Sequence, residues 1–380
     1  MDGDEAAMRP PAIQVLGIGL TNDASPLPSR PMAVAAPTAL AESTLSLAEK
    51  AVGLAAWEDI VAPVRGFLGR VNEQLAAQVS AFEPELAEYA RYALDSQGKQ
   101  IRPVLVALAA GCTGPQNDEV VTIAVIIEMV HLATLVHDDI MDGAALRRGR
   151  ATLAAKWGNE VSVLLGDCLF AQALSLACNF KDTSVPRAVA KATQIVCTGE
   201  ILQTQRRRKW QLPRQEYFRL LEMKTAELFA LACEQGCHLT GGSPGQAGAL
   251  RRYGLALGTA YQVYDDVLDL YGAENKAGKS LGTDLAKGKP TLPLLHVLET
   301  APASDRAILL GWLADWDPSH FAEVRQLLES HGAIRECRRV IDGLLDDARR
   351  ALDDLPPTPE RLALDRFTAF LSQQTATLVV

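Results

Sequence analysis

The longest apolar stretch of the chain runs from Asp118 to Gly143, with the sequence DEVVTIAVIIEMVHLATLVHDDIMDG. Nearly every position in its first two-thirds is apolar or small. Such a helix is apolar on almost every face, which is typical of a helix buried in a protein core. The stretch ends in Asp138, Asp139 and Asp142, and Gly143 follows where a helix-terminating glycine is expected. The pattern predicts a buried helix that carries its charge at one end.

A second stretch, residues 247–271, repeats this arrangement. Its apolar positions follow the helical period, and it closes in the sequence YQVYDDVLD, with Gly272 three residues beyond. Asp265 and Asp269 are four residues apart and therefore share one face of the helix, with Gln262 one turn behind. Two buried helices that each end in the pattern DDxxD can direct two carboxylate clusters into one cavity.

The rest of the chain also has helical periodicity, without the alternation or the hairpin dipeptides that are typical of strands. Loops are predicted at SQGKQIRP, CTGPQND, KDTSVP, TGGSPG, GAENKAGKSLG and DLPPTPE, because these segments are rich in residues that interrupt helices. We therefore predict an all-α protein. Residues 1–45, rich in alanine and proline, are expected to be a poorly ordered extension, and residues 46–380 a single helical domain.

Composition limits the classes of function that fit. The 380 residues carry a formal net charge of −9 and are 48% hydrophobic, which excludes a disordered chain and argues against nucleic acid as a partner. No run reaches the ~18 consecutive apolar residues of a transmembrane helix, and the acidic start lacks the positive charge of a targeting peptide. The seven cysteines are interpreted as buried thiols of a reducing compartment. We therefore expect a cytoplasmic protein.

The two acidic helix ends are candidate metal sites. Like charges clustered at the negative end of a helix dipole are unfavourable, and Mg²⁺ relieves them through carboxylates and substrate phosphates. The predicted metal ligands are the carboxylates of both clusters: Asp138, Asp139, Asp142, Asp265, Asp266 and Asp269. One such cluster alone is weak evidence, because acidic helix ends are usually just solvated. Its repetition in a matching context favours metal binding.

Basic residues accompany these carboxylates along the chain. Two arginines follow the first cluster, a lysine and an arginine stand beside Gly98, and others occur inside a helix and after the second cluster. They are Lys99, Arg102, Arg147, Arg148, Lys224, Lys279 and Lys289. A single lysine of this kind is usually a solvated surface charge. Together with six carboxylates, the basic residues predict a site for several metal ions and two polyphosphates.

Six motifs resemble those of the trans-prenyltransferases, that is, the isoprenyl (polyprenyl) diphosphate synthases. They are GKQIRP, EMVHLATLVHDDIMDGAALRRG, GEILQ, KT, YQVYDDVLD and GKSLGTDLAKGKPTLP, and they span about Gly98 to Pro293 in the order of the family. The resemblance implies an isoprenoid synthase-type helical bundle around a deep central cavity, and a homodimer. The first 45 or so residues take no part in it.

The resemblance also implies a reaction between isopentenyl diphosphate and an allylic diphosphate, with three Mg²⁺ on the allylic diphosphate. Departure of this diphosphate leaves an allylic cation, the double bond of isopentenyl diphosphate attacks it, and loss of a proton restores a double bond. The residues implied in catalysis are Asp138, Asp142, Arg147, Lys224, Asp265 and Lys279. Those implied in binding isopentenyl diphosphate are Lys99, Arg102, His131 and Arg148. Those implied in binding the allylic diphosphate are Arg147, Lys224, Thr225, Gln262, Lys279 and Lys289.

The product is expected to be longer than C20, about C30 to C50. A growing prenyl tail would pass from Asp138 along its helix, and short-chain members of the family place an aromatic ring one turn below. Here the residues along that path are small or aliphatic: Ala133, Thr134, Val130 and Ile127. Residues of a facing helix, around 169–173, are equally able to close the path, so C20 geranylgeranyl diphosphate is the alternative product. Release of a long apolar product leaves room for a transient membrane contact.

Three other functions fit parts of the pattern. A class I terpene cyclase shares metal-triggered ionisation but needs no site for a second diphosphate, which GKQIRP and Arg148 would provide. A non-catalytic partner subunit could lose its acidic clusters, yet both are intact. A structural scaffold leaves the charged constellation unexplained. The synthase is therefore preferred.

Several further polar residues are interpreted as structural. His137 does not lie on the helix face that carries Asp138 and His131. Glu200 and Gln203 are interpreted as a buried polar contact. The run RRRKW, residues 206–210, is interpreted as the solvated end of a helix rather than as a membrane-binding patch.

Overall fold

The computed structural model describes residues 56–95, 98–272 and 281–378, and the extension predicted over residues 1–45 lies outside them. The described residues are almost entirely helical, which confirms the all-α prediction. In chain order the helices are α1 (Arg65–Ala77), α2 (Ala87–Leu94), α3 (Ile101–Gly111), α4 (Asp118–Met141), α5 (Leu153–Trp157), α6 (Asn159–Ala177), α7 (Ser184–Gln205), α8 (Arg214–Leu221), α9 (Glu227–His238), α10 (Pro244–Tyr271), α11 (Thr283–Ala286), α12 (Leu292–Thr300), α13 (Ala303–Ala314), α14 (Phe321–Ser330), α15 (Ala333–Ala351) and α16 (Pro359–Ala376). Short 3₁₀ turns occur at Ala62–Val64, Gln78–Ala81, Pro84–Leu86 and Pro318–His320.

The two helices with the acidic ends, α4 and α10, lie in the core. α4 packs against α1, α3 and α6, and its side chains from Ile123 to Val130 are all buried. α10 packs against α9 and α15, and α9 in turn contacts α4. The buried, all-round apolar helix predicted from the sequence is therefore present. One shared partner, α9, connects the two helices.

Small residues let α10 approach α9 closely. A side chain at Gly258 would place its Cβ 2.7 Å from the Cα of Ala226, and at Gly254 its Cβ would lie 2.5 Å from the carbonyl oxygen of Phe229. Both contacts are with backbone atoms, which have little freedom to move. The spacing of the two glycines, four residues apart, therefore sets the distance between α10 and the segment that carries Lys224.

Helix starts are set by capping side chains and by proline. The Asn117 side chain accepts a hydrogen bond from the Val120 amide at the start of α4, and Ser243 and Gln246 form a capping box at the start of α10. Helices α3, α4, α7, α10 and α16 begin one to three residues inside predicted loops, which are SQGKQIRP, CTGPQND, KDTSVP, TGGSPG and DLPPTPE. Pro103 and Pro186 lie in first helical turns, where a missing amide hydrogen costs no hydrogen bond.

The two acidic helix ends differ in backbone conformation. Gly143 has a φ of +59°, as predicted for a helix-terminating glycine, and the Ala144 amide donates to the carbonyl oxygen of Asp139. Gly272, by contrast, is extended, with a φ of −71° and a ψ of 173°. The chain therefore turns sharply after α4 and leaves α10 in an extended direction.

A two-stranded hairpin interrupts the helical fold and was not predicted. β1 (Leu146–Arg147) pairs antiparallel with β2 (Arg150–Ala151), and Leu146 lies opposite Ala151. The two turn residues, Arg148 and Gly149, both have positive φ, at 51° and 76°. This is the combination that two-residue hairpins of type I′ require. Type I′ turns usually carry Asn, Asp or Gly at the first turn position, so Arg148 at that position gave no sequence signal for a hairpin.

Two described helices are long and apolar enough, by length and composition, to cross a membrane. In α4, 72% of the most apolar window is buried, so its composition is explained by its place in the core. In α6 only 33% of the window is buried. That helix therefore presents an apolar surface outward.

Candidate active site

In the first acidic cluster, one carboxylate, that of Asp139, is held by contacts within the protein. Asp139 is buried, and Arg147 donates to its Oδ1 from Nε at 2.8 Å and contacts it from Nη2 at 2.7 Å. The hairpin β1–β2 brings Arg147 back over the end of α4, where two of its nitrogens contact one oxygen of Asp139. Arg147 therefore lies at the first cluster, in contact with its middle aspartate, and its role with the allylic diphosphate stays a prediction.

Asp138 and Asp142 face a different set of cations. The Nζ of Lys224 lies 3.7 Å from an oxygen of Asp138. Asp142 is contacted by Arg207 Nη2 at 3.1 Å and by Lys287 Nζ at 2.8 Å. Burial alone would raise the pKa of Asp142, but the neighbouring lysines, Lys289 first among them, lower it. Burial raises the pKa of Asp138, and Lys224 opposes that effect.

In the second cluster, Asp266 and Asp269 have protein donors. The Tyr217 hydroxyl donates to Asp266 at 2.7 Å, and the Gln262 amide donates to it at 3.0 Å. Burial raises the pKa of Asp266 to about 7. The side chain of Asp269 is fully buried and accepts hydrogen bonds from the Thr283 hydroxyl and from a backbone amide.

Within the described residues no group of three or more His, Cys, Asp or Glu side chains forms a metal-binding set. The six predicted ligands are thus not gathered as two triads. Asp139, Asp266 and Asp269 are engaged by Arg147, Tyr217 and loop donors, while Asp138 and Asp142 are turned towards cationic side chains. Paired carboxylates that require positive charge are the donor set that a hard divalent cation prefers. Asp138 and Asp142 therefore fit Mg²⁺, and the predicted role of Asp265 stays a prediction.

Lys224 lies on a π-helical turn, Glu222–Ala226, between α8 and α9. Single π-helical turns are rare and occur frequently at functional sites, because they redirect a side chain without breaking the helix. The lysine donates to Gln203 Oε1 at 3.0 Å and forms an ion pair with Glu200. The predicted buried polar contact of Glu200 and Gln203 is therefore present, and its purpose is to hold Lys224.

A glycine lets α7 reach this turn. A Cβ at Gly199 would lie 2.9 Å from the backbone nitrogen of Lys224 and 2.8 Å from the Cβ of Met223. On the other side of the turn, the Thr225 hydroxyl donates to Gln262 Oε1 at 2.8 Å, and Gln262 in turn donates to Asp266. Thr225 and Gln262 therefore form a chain of hydrogen bonds that joins the turn to the second acidic cluster.

Arg102 and Arg148, two of the residues expected to bind isopentenyl diphosphate, form a second cationic group. Arg102 lies over the Phe229 ring at 5.1 Å, and its Nε is buried without a hydrogen-bond partner. Lys99 lies 5.5 Å from the Phe370 ring, and burial lowers its pKa. The guanidinium of Arg148 rests on Gly98, where a side chain would collide with it.

His131 and Glu128 belong to the same group. Burial, reinforced by the charges of Arg102 and Arg148, holds the pKa of His131 well below its usual value, so its ring is neutral. Glu128 is buried, and its Oε2 has no hydrogen-bond partner. Burial raises the pKa of Glu128, while Arg102 and Arg148 oppose that effect. A neutral ring, two arginines and a buried carboxylate thus lie close enough to influence one another's charge.

The loop after α10 supplies further cations. Lys289 pairs with Asp284 at 3.1 Å, and although burial would lower its pKa, Asp284 and Asp142 raise it. Lys289 therefore stays charged beside the first cluster, as expected for a residue that binds a diphosphate. Lys279 lies outside the described residues, and its predicted role stays a prediction.

A cavity of about 330 Å³ begins at Asp138 and runs between α4, α6 and α7. Its polar end is formed by Asp138, Glu200 and Lys224, and most of its wall is apolar. Of the four residues expected to control product length, Thr134 lines this cavity one turn below Asp138. Phe170 on the facing helix also lines it. Ala133, Val130 and Ile127 are buried in the core and are not among its lining residues.

His137, interpreted as structural, packs between α4 and α6. Its Nε2 lies 3.1 Å from the carbonyl oxygen of Val163, and its ring contacts the Phe170 ring at 5.7 Å. A side chain at Gly166 would collide with the imidazole. The histidine therefore fixes the spacing of the two helices that border the cavity.

The interpretation of residues 206–210 as a solvated helix end was wrong for its first two members. Arg206 pairs with Glu216, and Arg207 pairs with Asp142. The reason is the backbone: α7 ends at Gln205, and Arg208 has a φ of +61°, which turns the chain back towards the acidic cluster. Charge periodicity carries no sign of such a turn.

Two other site residues were missed, Glu128 and Lys287. A lone carboxylate in the apolar stretch IIEMV was a visible signal for Glu128, because buried charges need partners. Lys287 lies two residues before Lys289 within the motif GKSLGTDLAKGKPTLP, and no spacing rule distinguished it from a surface residue.

Comparison with known proteins gives consistent results. The family model for polyprenyl synthetase matches residues 83–331. The octaprenyl diphosphate synthase of Haemophilus influenzae is 34% identical over 293 residues, which are 77% of this chain and 88% of that protein.

Two crystal structures resemble the fold. A decaprenyl diphosphate synthase from Rhodobacter capsulatus superposes with a TM-score of 0.79 at 31% identity, over 84% of this chain and 99% of that one. A polyprenyl synthase from Caulobacter crescentus, in complex with calcium and isoprenyl diphosphate, gives 0.78 at 33% identity, over 83% and 97% of the two chains.

Proposed function

The chain belongs to the polyprenyl synthetase family, and we propose that it condenses isopentenyl diphosphate with an allylic diphosphate to make an all-trans polyprenyl diphosphate of about C30 to C50. The observation that carries the proposal is the cavity below Asp138. It joins the ionic cluster of Lys224 and Asp138 to an apolar wall, and Thr134 is the α4 residue that lines it one turn below Asp138. A diphosphate at the ionic end can therefore extend its tail between α4, α6 and α7.

Binding of the two substrates is divided between the two cationic groups. Arg102, Arg148 and Lys99, with the neutral ring of His131, hold isopentenyl diphosphate. Lys224 and Lys289 hold the allylic diphosphate, and Arg147 adds its charge from the side of Asp139. These donors are fixed by Glu200, Gln203 and Asp284 before substrate arrives, so little reorganisation accompanies the reaction.

Asp138 and Asp142 are the residues that would hold Mg²⁺. When bound, the ion supplies positive charge that stabilises the leaving diphosphate. The carbon–oxygen bond to that diphosphate breaks, and its electron pair leaves with the diphosphate. The double bond of isopentenyl diphosphate forms the new carbon–carbon bond, and a proton departs to the released diphosphate. Thr225 and Gln262, joined by a hydrogen bond, present polar atoms beside the allylic position.

A homodimer fits the surface of the described part of the chain. Met141, Val163, Leu164 and Ile201 are large apolar side chains that are 41–65% exposed. Three of them, Met141, Val163 and Ile201, line the mouth of the cavity. An apolar surface of this kind normally marks an interface. We assign it to a second copy of the chain, which would shield the prenyl tail from water.

A cytoplasmic location is part of the proposal. All seven cysteines are free thiols, four of them buried. Free thiols persist in a reducing compartment. The substrates are themselves small, charged and water-soluble at one end.

The test is an incubation of the purified protein with labelled isopentenyl diphosphate, Mg²⁺ and geranyl diphosphate. We expect label in an apolar product, and none when a chelator is in excess. Asp138→Asn should reduce the rate by ~10²-fold, because stabilisation of the leaving group is the main catalytic effect. Asp118→Asn, at the solvent-exposed start of the same helix, is the matched control. Consumption of the allylic diphosphate without isopentenyl diphosphate would identify a terpene cyclase instead.

A further inference from the structure

Asp142 is contacted by two cations from separate segments of the chain. Arg207 Nη2 donates to Oδ1 at 3.1 Å, and Lys287 Nζ lies 2.8 Å from Oδ2. Both carboxylate oxygens therefore already have a charged partner. The side chain of Asp142 is only 15% exposed, so this pairing replaces most of its contact with water. Arg207 lies outside the motifs that identify the family in this sequence, and Lys287 lies within one of them, GKSLGTDLAKGKPTLP, without a predicted role there.

A tight turn after the end of α7 positions the side chain of Arg207 against Asp142. The amide of Arg208 donates to the carbonyl oxygen of Gly288 at 2.6 Å, and Gly288 has a φ of +67°. A side chain at Gly288 would collide with Arg208. The end of α7 is thereby docked on the turn that carries Lys287. The Nε of Arg207 is buried and has no hydrogen-bond partner, so part of its donor capacity is unused.

Hydrogen bonds to Asp269, in the second acidic cluster, position the segment that carries Lys287. Asp269 accepts hydrogen bonds from the Thr283 hydroxyl and the Asp284 amide, and its carbonyl oxygen accepts from the Gly282 amide. These bonds fix the start of α11, and Lys287 caps its end. Asp269, the last aspartate of the second motif, thus positions Lys287 against Asp142, the last aspartate of the first motif.

We propose that Arg207 and Lys287 hold Asp142 in the ligand-free protein and transfer to the substrate diphosphate when Asp142 takes up a divalent cation. The inference rests on the proposed function and extends it to two residues. A carboxylate whose oxygens both carry cations cannot bind a metal ion until those cations move. Once displaced, they are partly buried positive charges, each about a quarter exposed, that need an anion. The diphosphate that arrives with the metal is the anion within reach.

A purely structural role predicts a different result. If the two cations only braced the fold, their removal would lower stability and leave ligand affinities unchanged, or weaken all of them together. A transfer predicts opposite signs. Without Arg207 or Lys287, a divalent cation meets less competition at Asp142, whereas a diphosphate loses a charge-assisted partner.

The experiment is isothermal titration of the full chain with Mn²⁺ alone, and with inorganic pyrophosphate in saturating Mg²⁺. The variants are Arg207→Gln and Lys287→Gln. Lys209→Gln is the control, because it removes the same charge two residues from Arg207 at an exposed position without a described ion pair. In each test variant we expect tighter Mn²⁺ binding and pyrophosphate binding weakened by about tenfold. The control should change neither affinity.

Unchanged affinities, or a loss of both, would overturn the inference. Arg207→Lys keeps the charge and should recover most of the pyrophosphate affinity, which guards against a variant that merely misfolds. The proposed function is judged separately by prenyl transfer in the wild-type protein. Opposite-sign shifts in a protein that transfers no prenyl group would refute the function alone. Transfer without the shifts would refute the inference alone.

Discussion

Aspartates at the same position of the two DDxxD motifs have different roles. Asp142 ends the first motif and is turned to two cations, whereas Asp269 ends the second and ties down the start of α11. Asp266 is likewise held by a tyrosine and a glutamine. The spacing DDxxD predicts a shared face but does not say what lies opposite it. The partner that decides the role of Asp142 is 65 residues away in the chain.

Asp269→Asn should destabilise the protein more than Asp138→Asn does. The amide oxygen can still accept from the Asp284 amide and the amide nitrogen can donate to the Thr283 hydroxyl, but the negative charge that strengthens both buried hydrogen bonds is lost. The expected loss is about 1.5–3 kcal/mol. Burial, together with the neighbouring Glu200 and Asp142, disfavours the charge of Asp138, so Asp138→Asn should leave stability unchanged or higher. Urea unfolding of both variants decides the matter, and equal losses would show that Asp269 is not a structural anchor.

At the scale of elements, helix identity was predictable and helix junctions were not. The 3.6-residue period identified α4 and α10 with their acidic ends, because burial of a continuous helix leaves a repeating mark on the sequence. The π-helical turn at Glu222–Ala226 leaves no such mark, since it arises from packing against α7 and α10. The hairpin at Arg148 and the turn at Arg208 depend on positive φ at non-glycine residues. Arginine rarely adopts a positive φ, so the sequence indicated neither the hairpin nor the turn.

Gly199→Ala should damage catalysis through the position of Lys224. The added Cβ would lie 2.8–2.9 Å from Met223 and the Lys224 backbone nitrogen, so α7 and the π-helical turn must separate. We expect a loss of about 1–3 kcal/mol in stability and a fall in kcat of about tenfold or more, because a small misplacement of a catalytic group is costly. Steady-state kinetics and thermal unfolding measure the two effects. Gly311→Ala, where a Cβ meets nothing within 4 Å, is the matched control.

The junction of α8, α12 and α15 should be sensitive to acid. Arg214 and Arg339 donate to Glu336, and these bonds lower the pKa of its carboxyl to about 2. A carboxyl whose folded pKa is depressed contributes stability above its ordinary value of 4.5. That contribution is lost as the pH falls towards 2.

The stability difference between the wild-type protein and Glu336→Gln should therefore be constant above about pH 5 and shrink on acidification. Urea midpoints between pH 7 and pH 3 measure it. A difference that grows in acid would mean that the carboxylate is not held by these arginines in the folded state.

At the scale of the whole molecule, the apolar surface around Leu164 and Ile201 is the feature that a monomer does not explain. α6 is apolar enough to cross a membrane by composition, yet most of it is not covered by the described part of the chain. A sequence reports that a helix is apolar but not which neighbour covers it. The homodimer therefore stays a proposal that is supported by this exposed face.

Ile201→Glu combined with Leu164→Glu should separate the dimer, because two buried charges would face their copies across the interface. Leu362→Glu is the matched control, since Leu362 is a similarly exposed leucine on α16. Sedimentation of the three proteins gives the mass directly. A double variant with the same mass as the wild-type protein would place the interface elsewhere.

Chromatography of the dephosphorylated product, for the wild-type protein beside Thr134→Phe, tests the central claim most directly. The claim is that a prenyl tail grows past Thr134 into the cavity between α4, α6 and α7. With geranyl diphosphate, labelled isopentenyl diphosphate and Mg²⁺, we predict a wild-type product of about C30 to C50. In Thr134→Phe the ring should close the cavity one turn, ~5.4 Å, below Asp138 and shorten the product to about C15 or C20. A wild-type product that stops at C20, or the same product from both proteins, would contradict the account.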